Sequence, residues 1–223
     1  MGYILPEIYQ SLTNDFDKKL PVVFIETGTY MGGVPHRMLE TYGTLKPFDK
    51  IYTIELGLDI CKVASHRYKS YLKNDGDLSK FDFHTNEKDD YFNDEEKYKF
   101  DDVDLTLICG DSTSTLEKLL KKIDEPICFW LDAHAGAMKY ARGDDDVPLL
   151  KELDVISNHH INNHIIGIDD AHLFGTKQIS SDGGVCDYTE VTYEKVRDKL
   201  LQINPNYDIG IYKPYDMEMV LAI

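Results

Sequence analysis

The stretch Pro21-Val22-Val23-Phe24-Ile25-Glu26-Thr27-Gly28-Thr29-Tyr30-Met31-Gly32-Gly33 decides the fold. Residues 21–27 are a short apolar, β-branched run, the pattern of a strand buried on both faces of a parallel sheet. A glycine-bearing turn follows, and residues 34–43 read as a helix that stops at Gly43. A buried strand, a glycine turn and a helix are the opening of a βαβ unit, and the rest of the chain repeats the theme.

Strands are expected at 50–56, 104–110, 126–133 and 163–171, and helices at 58–74, 112–123, 147–158 and 189–203. The helix at 112 opens on a Ser/Thr cap, and the one at 147 carries Pro148 in its first turn. Residues 207–215 and 216–223 form a closing strand pair with almost no connection between them. Such a pair is antiparallel, because a parallel return needs a crossover of a dozen or more residues. The fold class is therefore α/β: a Rossmann-like, doubly wound sheet of five parallel strands plus a C-terminal antiparallel pair. One domain over 1–223 is expected, with an N-terminal helical extension at 1–20 and an acidic insertion at 75–104.

Composition limits the partners. The chain has 223 residues, 24 basic against 40 acidic side chains, and a net charge of −16. That charge repels a phosphate backbone and an anionic membrane surface, so neither nucleic acid nor membrane is an expected partner. No apolar run approaches the ~20 residues that span a bilayer. The first ten residues do not resemble a secretory signal. Cys61, Cys109, Cys128 and Cys186 show no CxxC spacing and read as buried thiols in a reducing compartment, the cytoplasm. Residues 75–104 hold twelve acids and four lysines and are expected to be a surface excursion.

In open α/β sheets, ligands bind beyond the carboxyl ends of the strands. The first strand ends in Glu26-Thr27-Gly28-Thr29-Tyr30-Met31-Gly32, where glycines permit a tight turn and close backbone approach. The second ends at Glu55, 23 residues past Gly32, placed to accept hydrogen bonds from ribose hydroxyls. The third ends in Gly110-Asp111-Ser112, suited to contact a base or to cap the next helix. The fourth ends Asp132-Ala133-His134 and the fifth Asp169-Asp170-Ala171-His172. Three carboxylates and two imidazoles then share one crevice. Unpaired, the carboxylates would raise one another's pKa; a divalent cation resolves the repulsion, and the oxygen donors suit Mg²⁺, Mn²⁺ or Ca²⁺.

In order, these strand ends resemble those of the class I S-adenosylmethionine-dependent methyltransferases, from about residue 20 to 223. The ExGxxxG turn at Glu26, Gly28 and Gly32 resembles their first motif, with Thr29 and Tyr30 inside it. Glu55 matches the ribose-binding acid, and Asp111-Ser112 the segment beside adenine. Asp132 with Asp169-Asp170 resembles the metal triad of cation-dependent O-methyltransferases, closest to the TylF-like sugar-modifying group. Catechol-type enzymes usually have Asp-Asn where this chain has Asp169-Asp170, and a lysine shortly after the first metal acid. The resemblance implies S-adenosylmethionine as cofactor, Mg²⁺ or Mn²⁺ as cation, and a sugar, glycan or other small-molecule hydroxyl as acceptor. It also implies a base among His134, Asp132 and His172.

Tyr140 and Arg142 in the 135–148 loop, and the stretch 174–188, are candidates for acceptor contacts or plain surface loops. Asp144-Asp145-Asp146 reads as a solvated charge run. Homo-oligomerisation is left open. The rival readings are a nicotinamide-dependent dehydrogenase, which leaves the Asp132/Asp169/Asp170 group unexplained, and a nucleotide-binding module without catalysis. A ureohydrolase would need an earlier Gly-Gly-Asp-His, which is absent.

Overall fold

The computed structural model describes residues 21–42, 45, 48–73, 92–136, 141–213 and 218–223. The expected extension at 1–20 and residues 75–91 of the acidic segment lie outside the described residues. In chain order the elements are β1 (Val23–Thr27), α1 (Gly33–Tyr42), β2 (Lys50–Glu55), α2 (Leu58–Lys73), β3 (Glu95–Phe100), β4 (Val103–Cys109), α3 (Ser112–Leu120), β5 (Ile127–Leu131), α4 (Leu149–Ser157), β6 (Ile165–Ile168), a 3₁₀ turn (Ala171–Leu173), β7 (Lys177–Ile179), β8 (Val185–Asp187), α5 (Tyr193–Ile203), β9 (Ile209–Tyr212) and β10 (Met219–Ala222).

Eight strands form one sheet in the order β3-β4-β2-β1-β5-β6-β10-β9. The five expected parallel strands are β4, β2, β1, β5 and β6. The closing pair is antiparallel, and β10 also runs antiparallel to β6. From β1 the chain steps outward through β2 to β4, then returns to lay β5 on the other side of β1. The reversal of strand order falls between β1 and β5.

Every residue of β1 and β5 is buried, as their continuous apolar sequences require. Alternate side chains feed two cores. Phe24, Ile51, Trp130 and Tyr68 lie on the side of α1 and α2. Ile25, Phe129, Leu116, Leu153 and Val196 lie on the side of α3, α4 and α5. Each fully buried side chain of this size contributes about 1.5–3 kcal/mol.

Two segments differ from expectation. Residues 95–100, read as part of a surface excursion, form β3, an edge strand antiparallel to β4. Tyr98 and Phe100 point inward while Glu95, Lys97 and Lys99 face solvent, so charge on the outer face hides a half-buried strand. Residues 177–187, read as loop, form the β7–β8 hairpin. No described helix is long and apolar enough to cross a membrane.

At the edge opposite the strand ends, a chain of histidines joins β5 to α4. The Ile127 amide donates to His164 Nδ1 at 3.1 Å. His164 must then carry its proton on Nε2, which faces His159 Nδ1 at 3.1 Å. His159 Nε2 in turn donates to the Ile123 carbonyl at 2.8 Å. A proton added to His164 Nδ1 would set donor against donor. Burial, aided by the neighbouring His159, lowers the His164 pKa from 6.5 to about 4. The neutral ring's contribution is therefore complete above pH 6.5 and is lost as pH falls toward 4, about 3 kcal/mol in all. In urea denaturation the advantage of the native chain over His164→Gln should shrink by that amount between pH 7 and pH 4. A difference that does not change with pH would contradict this assignment.

Candidate functional site

The ladder hydrogen bonds continue one residue past the strands and fix the start of each loop. Gly28 and Thr29 amides donate to the Ile54 carbonyl at 2.9 and 3.1 Å. The Asp132 amide donates to Thr27 O, the Asp169 amide to Leu131 O, and the Gly110 amide to Glu55 O. Four loop origins are thereby locked to the sheet. Gly28 has φ +80°, and a Cβ there would lie 2.4 Å from the Asp132 carbonyl oxygen. Gly32 has φ +79°, and its missing Cβ would meet the Tyr68 hydroxyl at 2.9 Å. Only glycine meets both demands at either position.

The loops enclose a cleft of about 430 Å³ above the reversal of strand order. That size suits a nucleoside-sized ligand. Gly28, Tyr30, Glu55, Gly110, Asp111, Ser112, Asp132 and His134 line it, so residues from four strand ends share one wall. Glu26, Thr29 and Gly32 are not among its lining residues. Glu26 is 1% exposed and its Oε2 accepts from the Thr29 hydroxyl at 3.1 Å. Burial raises its pKa to about 8, against the pull of Thr29. The structure thus sets Glu26 beneath the glycine turn, where it braces the loop.

Glu55 Oε2 accepts from the Tyr30 amide at 2.8 Å and Oε1 from the Gly57 amide at 2.9 Å. A carboxylate has about four acceptor positions, so two remain for a ligand. Burial raises its pKa, while the backbone donors oppose the rise. Tyr30 holds the left-handed conformation at φ 51°, which presents its amide to Glu55. The cap of α3 is Asp111, whose Oδ1 accepts from the Ser114 amide at 2.8 Å; Ser112, the expected cap, is the first helical residue.

Asp132 and His134, which line the cleft, each offer a ligand atom within 4.8 Å of the other's and of one from Asp170. Burial raises the Asp132 pKa well above the usual range, and Asp169, Asp170 and Glu26 raise it further. Burial and the Asp170 charge also raise Asp169. Partial burial alone would lower His134; hydrogen bonding to Cys186 and the Ala135 carbonyl, with the charge of Asp170, outweighs it and brings its pKa to about 9. His172 is exposed on the 3₁₀ turn, outside the cleft lining.

Sequence reading missed three contributors. Glu152 on α4 is fully buried behind the strand ends. The signal was present: Leu149, Glu152, Leu153 and Ile156 follow the i, i+3, i+4, i+7 spacing of a buried helix face. Lys151 lines the cleft and pairs with Asp145. Tyr188, after β8, packs its ring 6.0 Å from that of His134. Arg142, a candidate acceptor contact, instead bonds Asp146 and the Val185 carbonyl, and Asp146 accepts from the Asp187 amide. Asp146 and Arg142 therefore tie the β7–β8 hairpin to the 141–148 loop. Tyr140 lies outside the described residues.

Solved structures share this architecture. An rRNA methyltransferase from Streptomyces viridochromogenes superposes with a TM-score of 0.50 at 9% identity, over 96% of this chain and 81% of that one. A precorrin-6y C5,15-methyltransferase from Geobacter metallireducens gives 0.49 at 10% identity, over 97% and 85%. A glycopeptide N-methyltransferase complexed with S-adenosyl-L-methionine gives 0.46 at 11%, over 98% and 92%. No family model matches the chain, and no curated protein sequence does. The chain has the Rossmann-like fold of class I methyltransferases.

Gly28→Ala tests the turn. The left-handed backbone and the clash with Asp132 should destabilise the chain by about 2–4 kcal/mol in urea denaturation. A loss below about 0.5 kcal/mol would show that β1 and β5 are not held at this contact.

Proposed function

We propose that this chain is an S-adenosylmethionine-dependent O-methyltransferase, assisted by a divalent cation and acting on a hydroxyl of a sugar or glycan. One observation carries the reading: a single cleft joins the ribose-type acid Glu55 to Asp132 and His134, whose ligand atoms lie close to one from Asp170. A dehydrogenase accounts for the first feature and not for the second.

The residues fit both absent groups. Glu55 offers its two remaining acceptor positions to ribose hydroxyls, and the Gly28 backbone lines the same cleft. Asp132 and Asp170, with Asp169 beside them, would hold the cation. When bound, the cofactor supplies an electrophilic methyl group and the cation supplies Lewis acidity toward an acceptor hydroxyl. The chain's own part is chiefly alignment, since four loop origins are locked to the sheet. The group in the cleft wall that would take the acceptor proton is a carboxylate oxygen of Asp132.

Titration calorimetry with S-adenosylhomocysteine should show one site. Glu55→Gln keeps an acceptor oxygen but loses charge, and should weaken binding about tenfold, or ~1.4 kcal/mol. No binding to the native chain at millimolar ligand would end the proposal. Labelled methyl transfer to a panel of glycans, vicinal diols and phenols would then identify the acceptor class.

A further inference from the structure

The sequence places a cation on three carboxylates and leaves His134 as a base, but the geometry divides these groups differently. His134 Nδ1 lies 3.0 Å from the Ala135 carbonyl, which can only accept, so Nδ1 carries a proton. Nε2 lies 3.4 Å from Asp170 Oδ2. Positive charge belongs between those two atoms, and either a second proton on the ring or a metal ion supplies it. Anchoring of the remote nitrogen on a backbone carbonyl is also the arrangement that orients a metal-ligating imidazole.

Asp169 stands apart. It is 4% exposed, and its Oδ1 accepts from the Asp170 amide at 2.9 Å. That bond supports the left-handed turn at Asp170, φ 55°, which aims the Asp170 carboxylate at His134.

A second observation is independent of the cluster. Glu152 is 0% exposed, and its carboxylate oxygens make no well-formed hydrogen bond, with only the neutral Ser112 and Thr27 hydroxyls as polar side-chain neighbours that lower its pKa. It lines a void of about 10 Å³ together with Asp132, His134, Asp169 and Asp170, and no Lys or Arg among the described residues lines that void. A void of this size holds about one water molecule. A buried carboxylate without a charged partner calls for a compensating charge, here one that sits across the void.

We propose that Asp132, His134 and Asp170 are the ligands of the divalent cation, that Asp169 is a positioning residue for Asp170, and that Glu152 balances the ion from below. This rests on the methyl-transfer reading for the ion's purpose. Two carboxylates and one imidazole favour Mn²⁺ over Mg²⁺, whose preference is for oxygen alone. His134 is then a ligand and is not available as the base.

The test uses the full chain and MnCl₂, read by titration calorimetry and by ¹⁴N modulation of the Mn²⁺ spin echo. The native chain should bind one Mn²⁺ and show nitrogen modulation from a coordinated imidazole. His134→Ala should lose the modulation and at least about tenfold in affinity, and Asp170→Asn a similar affinity. Asp169→Asn should lose less affinity than Asp170→Asn and keep the modulation, and Glu152→Gln should weaken binding a few-fold. Native-like binding of S-adenosylhomocysteine shows that each variant is folded. Mn²⁺ bound without nitrogen modulation, or unchanged affinity in His134→Ala, overturns the ligand assignment. A native chain that binds S-adenosylhomocysteine but no Mn²⁺ overturns the ion site and leaves methyl transfer standing. One that binds Mn²⁺ as described but no S-adenosylhomocysteine does the reverse.

Discussion

The backbone contact between Gly28 and Asp132 is the constraint on which the site depends. β1 and β5 are neighbours in the sheet, yet the loops that leave them must part to make a cleft. Separation begins one residue past the strands, after the Asp132 amide has bonded to Thr27 O. A side chain at position 28 would occupy the Asp132 carbonyl, so the parting exists only because that residue is glycine. Everything else in the cleft is referred to this point. Tyr30 turns back toward Glu55, and Asp132 is fixed in height relative to Asp169 and Asp170.

Acidity is placed with the same economy. Of the net −16, residues 75–104 supply −8 and residues 132–170 another −5. In the described part of the first segment, Asp94, Asp101 and Asp102 sit in the turns that flank an edge strand, whose outer face carries Glu95, Lys97 and Lys99, charges that discourage pairing with another sheet. The second set includes Asp132, Asp169, Asp170 and Glu152, which sit together with the Asp132, Asp169 and Glu152 carboxyls all raised in pKa by burial. Such a group is poorly stable without a cation, and a sulfonium cofactor or a metal ion would relieve it. The surface acids Asp145 and Asp146 are neutralised within the chain, by Lys151 and Arg142.

Much of the architecture was legible because its cause is local. A buried parallel strand must be apolar throughout, and a strand-to-helix turn with positive φ must contain glycine. β1, β5 and the 28–32 turn were therefore visible. β3 was not, because three exposed charged residues mask the inward pair Tyr98 and Phe100. The β7–β8 hairpin was hidden for a related reason: its strands are three residues long, and only Cys186 among them is buried. Asp111 and Ser112 are both good capping residues, and choosing between them needs the backbone angles. Glu152 was written into the sequence as a carboxylate on an apolar helix face, a pattern that is informative once burial is taken seriously.

By itself the sequence determined the order of strands and helices, the positions of the glycines and the residue types at each strand end. These follow from periodicity and from backbone sterics, which act over a few residues. Tertiary structure alone decided how those ends meet. It withdrew Glu26 beneath the turn, left His172 outside the cleft, and turned His134 toward Asp170 by fastening its other nitrogen to a neighbouring carbonyl. Which of several carboxylates and imidazoles share a point in space depends on rotamers, on one left-handed residue and on hydrogen bonds between distant segments. Those are fixed only when the sheet is assembled.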